Sequence, residues 1–150
     1  MNPIYPRGIE VAVGPYIINE KQEVLLVKSP KWEHWIICGG HVENDETIEQ
    51  ALFRETEEEL GIKVEIIDFL RIKEEFVAPP LFKRPAHFLF LDYIVKATNL
   101  NFTPNDEISE YRWFAIEEAL ADPDTKPSIC EGLQILKKWL SNPDNLKKIS

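Results

Sequence analysis

The stretch that decides the reading is Gly40-His41-Val42-Glu43-Asn44-Asp45-Glu46-Thr47-Ile48-Glu49-Gln50-Ala51-Leu52-Phe53-Arg54-Glu55-Thr56-Glu57-Glu58-Glu59-Leu60-Gly61-Ile62. Between Glu43 and Glu59 it holds eight acids against one arginine, −7 of the chain's net −9. An acidic run ordinarily marks the solvated side of a helix. Thr47 to Leu60 reads as a helix closed by Gly61, with Asp45 as its expected N-cap. At about 100° per residue, Glu55, Glu58 and Glu59 fall within one sector of about 100°, which Ile48, Ala51 and Leu52 share. The glutamates therefore continue the helix's inward stripe, where a solvated run would lie opposite it. Phe53 and Leu60 fall on a second side, which suggests packing there too.

Three crowded carboxylates repel one another, by roughly 1 kcal/mol per pair in water and more where water is excluded. They tend to hold protons unless a cation compensates. Hard divalent ions take oxygen ligands of this kind, and Mg²⁺ or Mn²⁺ can neutralise phosphate oxygens and acidify a bound water. Gly39-Gly40 lets backbone approach a ligand closely, and a carbonyl there is a candidate ligand. Arg54 borders the cluster and can hold a carboxylate in place.

Gly40, then five residues, Glu46, then seven, then Arg54-Glu55-Thr56-Glu57-Glu58-Glu59-Leu60-Gly61-Ile62 resembles the Nudix box, G-x5-E-x7-R-E-U-x-E-E-x-G-U, with U a bulky aliphatic residue. All seven fixed letters are in place, a chance match rarer than roughly one in a million. The resemblance implies an α/β/α sandwich around a mixed β-sheet. It implies hydrolysis of a phosphoanhydride in a nucleoside diphosphate linked to another moiety, with Mg²⁺ or Mn²⁺. It implies metal ligation by Glu55, Glu58, Glu59 and the Gly39 carbonyl, Arg54 as orienter of the carboxylates, and Glu46 as support for the helix start or a further metal. The general base varies between relatives; Glu55, Glu107 and Glu75 are the candidates. Three positions depart from the usual pattern: Thr56 where an aliphatic residue is common, Cys38 where many members have Pro, and Asp45 where Gly is common. None removes a carboxylate. A catalytically silent module on the same fold tends to lose box glutamates, which this chain keeps. A purely interacting acidic helix would place its acids on the outer stripe.

Away from the box, 150 residues, 44% hydrophobic and 29% charged, suit one globular domain. The net charge argues against stable nucleic-acid binding. Two isolated cysteines, Cys38 and Cys130, form no metal or disulfide pattern and suit a reducing compartment. With no apolar leader at Met1–Glu10 and no run approaching 18 apolar residues, a cytoplasmic protein without membrane contact is expected.

Strands are expected at Ile9–Asn19, Glu23–Lys28, Trp35–Cys38, Ile62–Lys73, Ala86–Ala97 and Glu110–Ala115, and further helices at Ile116–Ala121 and Ile129–Leu140. Glu74–Pro85 reads as a loop, and the tail past Asn142 as loose. The interleaving gives a mixed-sheet α/β or α+β domain with helices on both sides. Val24 to Val27, nearly continuous in apolar residues, suggests a strand buried on both faces. For substrate contact the candidates are Trp32, His41, Phe76, Lys83 and Arg84: aromatics to stack on a base, cations to meet phosphates. A homodimer is in keeping with relatives, though no exposed apolar stripe identifies an interface from sequence.

Overall fold

Alternating apolar residues build a seven-stranded sheet in the order β3-β2-β1-β6-β5, seen in a computed structural model that describes residues 4–149. The strands are β1 (Ile9–Ile18), β2 (Val24–Ser29), β3 (Trp32–Ile36), β4 (Gly40–His41), β5 (Val64–Val77), β6 (Ala86–Ala97) and β7 (Glu110–Phe114). The helices are α1 (Ile48–Leu60), α2 (Ile116–Ala121), α3 (Pro127–Leu140) and α4 (Pro143–Leu146). β1 and β6 run parallel, and the other pairings are antiparallel, with β4 added beside β1 and β7 beside β2. The sheet is therefore mixed, as expected.

Strand alternation divides the core. Val13, Ile17, Leu25, Val27 and Val95 pack with Ala51, Leu52 and Leu60 of α1. Tyr16, Ile18, Val24, Leu26 and Ile94 pack with Leu133, Leu136 and Leu140 of α3 on the other face. β2 is thus buried on both sides, which is why its apolar run is continuous.

Five local expectations change. Thr47 caps α1 in place of Asp45: its side chain accepts from Gln50 N–H while the Gln50 side chain accepts from Thr47 N–H. That reciprocal pair satisfies two backbone donors together, whereas Asp45 stands at φ 63 in the preceding turn. Phe53 is 40% exposed; the buried stripe of α1 is Ala51, Leu52, Thr56, Glu59 and Leu60. β5 continues past Lys73 to Val77, because pairing with β6 persists to Val77↔Ala86 and the prolines begin only at Pro79. β3 begins at Trp32, made possible by a tight turn that pairs Ser29 with Trp32. The tail is ordered: Asn142 caps α4 and Ile149 is buried in the α3-side core.

Candidate active site

The site forms where the loop ahead of β4 meets the inward side of α1. Gly39 lies at φ +141, and a Cβ there would run into the Val13 carbonyl oxygen of β1. Its N–H donates to Glu59 Oε2 at 2.8 Å. Gly40 lies against Glu55: a Cβ on it would stand 2.5 Å from Glu55 Oε1. The two glycines let the loop press onto β1 on one side and onto two carboxylates on the other.

Arg54 organises the carboxylates. It holds Glu46 bidentately, Nε to Oε2 at 2.7 Å and Nη2 to Oε1 at 3.0 Å. Nη1 donates to Glu55 Oε1 at 3.0 Å and to Glu58 Oε2 at 3.2 Å, and Nη2 also donates to the His41 carbonyl at 2.9 Å. One planar donor fork therefore ties the helix to β4. The Arg54 hydrogen bonds, with one from Glu43 N–H, hold the Glu46 carboxyl at about 2. Glu46 supports the helix start in this way.

The inner acids behave oppositely. Glu59 is buried and its carboxyl is pushed up to about 8, first by desolvation and then by the neighbouring Glu55 and Glu107, against the Gly39 N–H. Burial raises Glu55 as well, against the pull of Arg54. The buried Cys38 thiol is raised by desolvation and by Glu59 and Glu55. Glu107, on the loop after β6, lies close enough to share a hydrogen bond with Glu59. Glu58 sits at the margin, with its side chain 57% exposed. Among the described residues no three such groups already converge as a closed cage.

The other sequence candidates divide. His41 and Arg84 meet at Glu10: Arg84 donates from Nη1 and Nη2 at 2.6 Å each, and the His41 ring bonds the same carboxylate at 2.8 Å. Phe88 packs on both His41 and Phe82. Lys83 is exposed in the adjoining turn. Phe76 stacks on His87 with centroids 4.2 Å apart, away from this group on the other face of the sheet. Glu75 pairs with Lys126 beside Tyr16 and Asp92, apart from the box acids. The side chain of Trp32 lies outside the described residues.

Sequence reasoning missed Glu10. Its signal was a charge at an inward position of β1, in step with Ala12. Arg84, ahead of His41, holds its carboxyl at about 2, below the ordinary 4.5. A depressed carboxyl contributes its full stability above about 4.5 and loses it as pH falls towards about 2. Glu10→Gln should therefore melt below the parent at neutral pH, and the gap should close over that window. Parallel thermal melts from pH 7 to pH 2.5 check this; a gap that widens on acidification would contradict it.

A NUDIX domain model matches residues 8–131. The chain belongs to the Nudix family. This Nudix chain is 33% identical over 129 residues to the asymmetrical bis(5′-nucleosyl)-tetraphosphatase of Sus scrofa, covering 81% of this chain and 86% of that one. It is 41% identical over 64 residues to the RNA pyrophosphohydrolase of Ruthia magnifica subsp. Calyptogena magnifica, 43% of this chain and only 36% of that protein's length. The MutT protein of Methanosarcina mazei Go1 superposes with a TM-score of 0.76 at 20% identity, over 90% of this chain and 97% of that one, which shows the fold. Nudix hydrolases generally need a divalent metal. No helix among the described residues is long and apolar enough to cross a membrane.

Proposed function

We propose that this Nudix domain is a divalent-metal-dependent hydrolase of a phosphoanhydride within a nucleoside diphosphate joined to another moiety, with dinucleoside polyphosphates the first class to test. The observation that carries the reading is the buried Glu59 carboxyl crowded by Glu55 and Glu107. A fold does not spend buried acids in this way without a compensating charge. The donor set is all oxygen, which fits Mg²⁺ or Mn²⁺. Glu55, Glu58, Glu59 and the Gly39 carbonyl are the residues that would hold the ion. Bound there, it would neutralise phosphate oxygens and lower the pKa of a coordinated water.

The chain's own groups supply the rest. Arg54 keeps Glu55 and Glu58 on the side of α1 that faces the Gly39-Gly40 loop. Glu107, exposed and beside Glu59, is placed to take a proton from an attacking water. His41, next to Gly40 on β4, and the exposed Lys83 are the candidates for contact with the substrate's nucleoside and phosphate ends. Arg84 contributes by holding Glu10, since its charge is already matched there. Similarity to the Sus scrofa enzyme over 86% of its length supports the choice of substrate class.

A panel of bis(5′-nucleosyl) tetraphosphates, ADP-ribose, nucleotide sugars, NADH and nucleoside triphosphates, assayed with Mg²⁺ and with Mn²⁺, tests the reading. Cleavage of at least one class is expected, stopped by EDTA and restored by metal. Turnover of none, or turnover indifferent to EDTA, would overturn it.

A further inference from the structure

His41 is held at both ends. Arg54, the fork that gathers the box carboxylates, donates from Nη2 to the His41 carbonyl at 2.9 Å. Glu10 Oε1 lies 2.8 Å from Nε2 of the ring. β4 pairs Gly40 with Val13 and His41 with Ala12. Side chains alternate along a strand, so Gly40 meets Glu55 on the α1 side while the His41 ring stands on the α3 side with Glu10 and Phe88. His41 thus joins the carboxylate site to a second cluster across the sheet.

That cluster fixes the ring. The Glu10 side chain is only 5% exposed, and Arg84 grips both of its oxygens at 2.6 Å. The carboxylate's charge is therefore matched by Arg84, and the further bond to His41 has its effect on the ring. A carboxylate only accepts, so the proton of that bond lies on Nε2. Nδ1 has no partner among the described residues, and the His41 side chain is 40% exposed. Phe88 packs on the ring with centroids 5.2 Å apart, and Phe82 packs both on Phe88 and against the Arg84 guanidinium. The chain's other close glutamate–histidine pair, Glu74 with His87 at 2.7 Å on the α1-side face, lacks this support: the Glu74 side chain is 59% exposed.

We infer that Glu10 is a positioning residue for substrate binding. Anchored by Arg84, it sets the angle of the His41 ring so that Nδ1 meets the part of the substrate that reaches past the box carboxylates onto the α3 side of the sheet. The inference rests on the proposed function in taking a nucleotide polyphosphate as the ligand. A ring already held in place loses little freedom on binding, which is how preorganisation adds affinity.

A mutant cycle tests the inference. Replacing a buried ion pair by apolar residues of similar volume is often neutral for stability, so Glu10→Met/Arg84→Met is expected to fold, and thermal melts show that it does. Glu10→Gln, of the same shape as the parent, carries the same expectation and serves if the Met pair does not fold. The probe is bis(5′-adenosyl) tetraphosphate. KM and kcat are read with Mg²⁺, and Kd by calorimetry with Ca²⁺ in its place, a measurement that needs no cleavage. The Met pair should raise KM and Kd by about tenfold and leave kcat within about twofold, as loss of a support for binding alone does. His41→Ala should do the same. Adding the Met pair to His41→Ala should change KM and Kd by less than about twofold further, because Glu10 and Arg84 act through the ring. Glu74→Gln, which breaks the exposed pair, should bind as the parent does. A folded Met pair that binds as tightly as the parent would overturn the inference. So would effects that multiply in the His41→Ala background, or a parent that does not bind the tetraphosphate. A parent that binds with this coupling yet cleaves nothing would instead overturn the hydrolase reading and leave the role of Glu10 standing.

Discussion

Glu59→Gln is expected to lower metal-dependent turnover by at least about a thousandfold, well beyond the ~10–100-fold typical of losing a group that merely supports a ligand. The same substitution should leave the metal-free protein as stable as the parent, or more so. Glutamine keeps an oxygen for the Gly39 N–H and removes an acid that Glu55 and Glu107 disfavour. The pH dependence has a definite sign. The Glu59 carboxyl is raised from 4.5 to about 8, so the folded chain holds a proton there that the unfolded chain releases between those values. Folding stability from this group therefore falls as pH rises through that window. In EDTA, the variant should melt a few degrees above the parent at pH 8.5, with the difference vanishing near pH 4. Each kcal/mol is worth about 2–4 °C for a chain of this size. A structural acid would show the reverse pairing, with activity little changed and stability lost.

Gly39→Ala is expected to cost about 3 kcal/mol or more, lowering the melting temperature by about 6–12 °C. Its φ of +141 is one that L side chains rarely adopt, and the new Cβ would overlap the Val13 carbonyl oxygen, which belongs to backbone and cannot rotate away. The loop would have to lift from β1, and it carries the N–H that Glu59 accepts. Activity should fall with stability. Gly8→Ala is the control: its φ of +61 is also left-handed, but nothing lies within 4 Å of the new Cβ. It should cost only the left-handed penalty of about 1–2 kcal/mol. Equal losses at the two positions would mean that the contact with Val13 is unimportant.

The box was legible because its information is local. Helical spacing put Glu55, Glu58 and Glu59 on the inward side of α1; Glu59 is buried and Glu55 partly so, but Glu58, at the edge of that sector, is 57% exposed. Local chemistry can still be misassigned: Asp45 was the expected cap, and Thr47, two residues on, takes the role through its reciprocal pair with Gln50. The end of β5 was misplaced because Glu74 and Glu75 look like loop residues until β6 pairs with them. Glu10 and Arg84 stand 74 residues apart and meet only through the fold. The tail read as loose, yet Ile149 is buried and Leu146 packs against the same core.

The most direct test of the site is a titration of Mn²⁺ into the nucleotide-free protein, followed by electron paramagnetic resonance of the free ion. The parent should remove Mn²⁺ from solution saturably, and Glu59→Gln and Glu55→Gln, though folded, should bind it at least about tenfold more weakly, as loss of one charged oxygen ligand requires. Equal Mn²⁺ uptake by all three proteins, or none by the parent, would contradict a cation held among these glutamates.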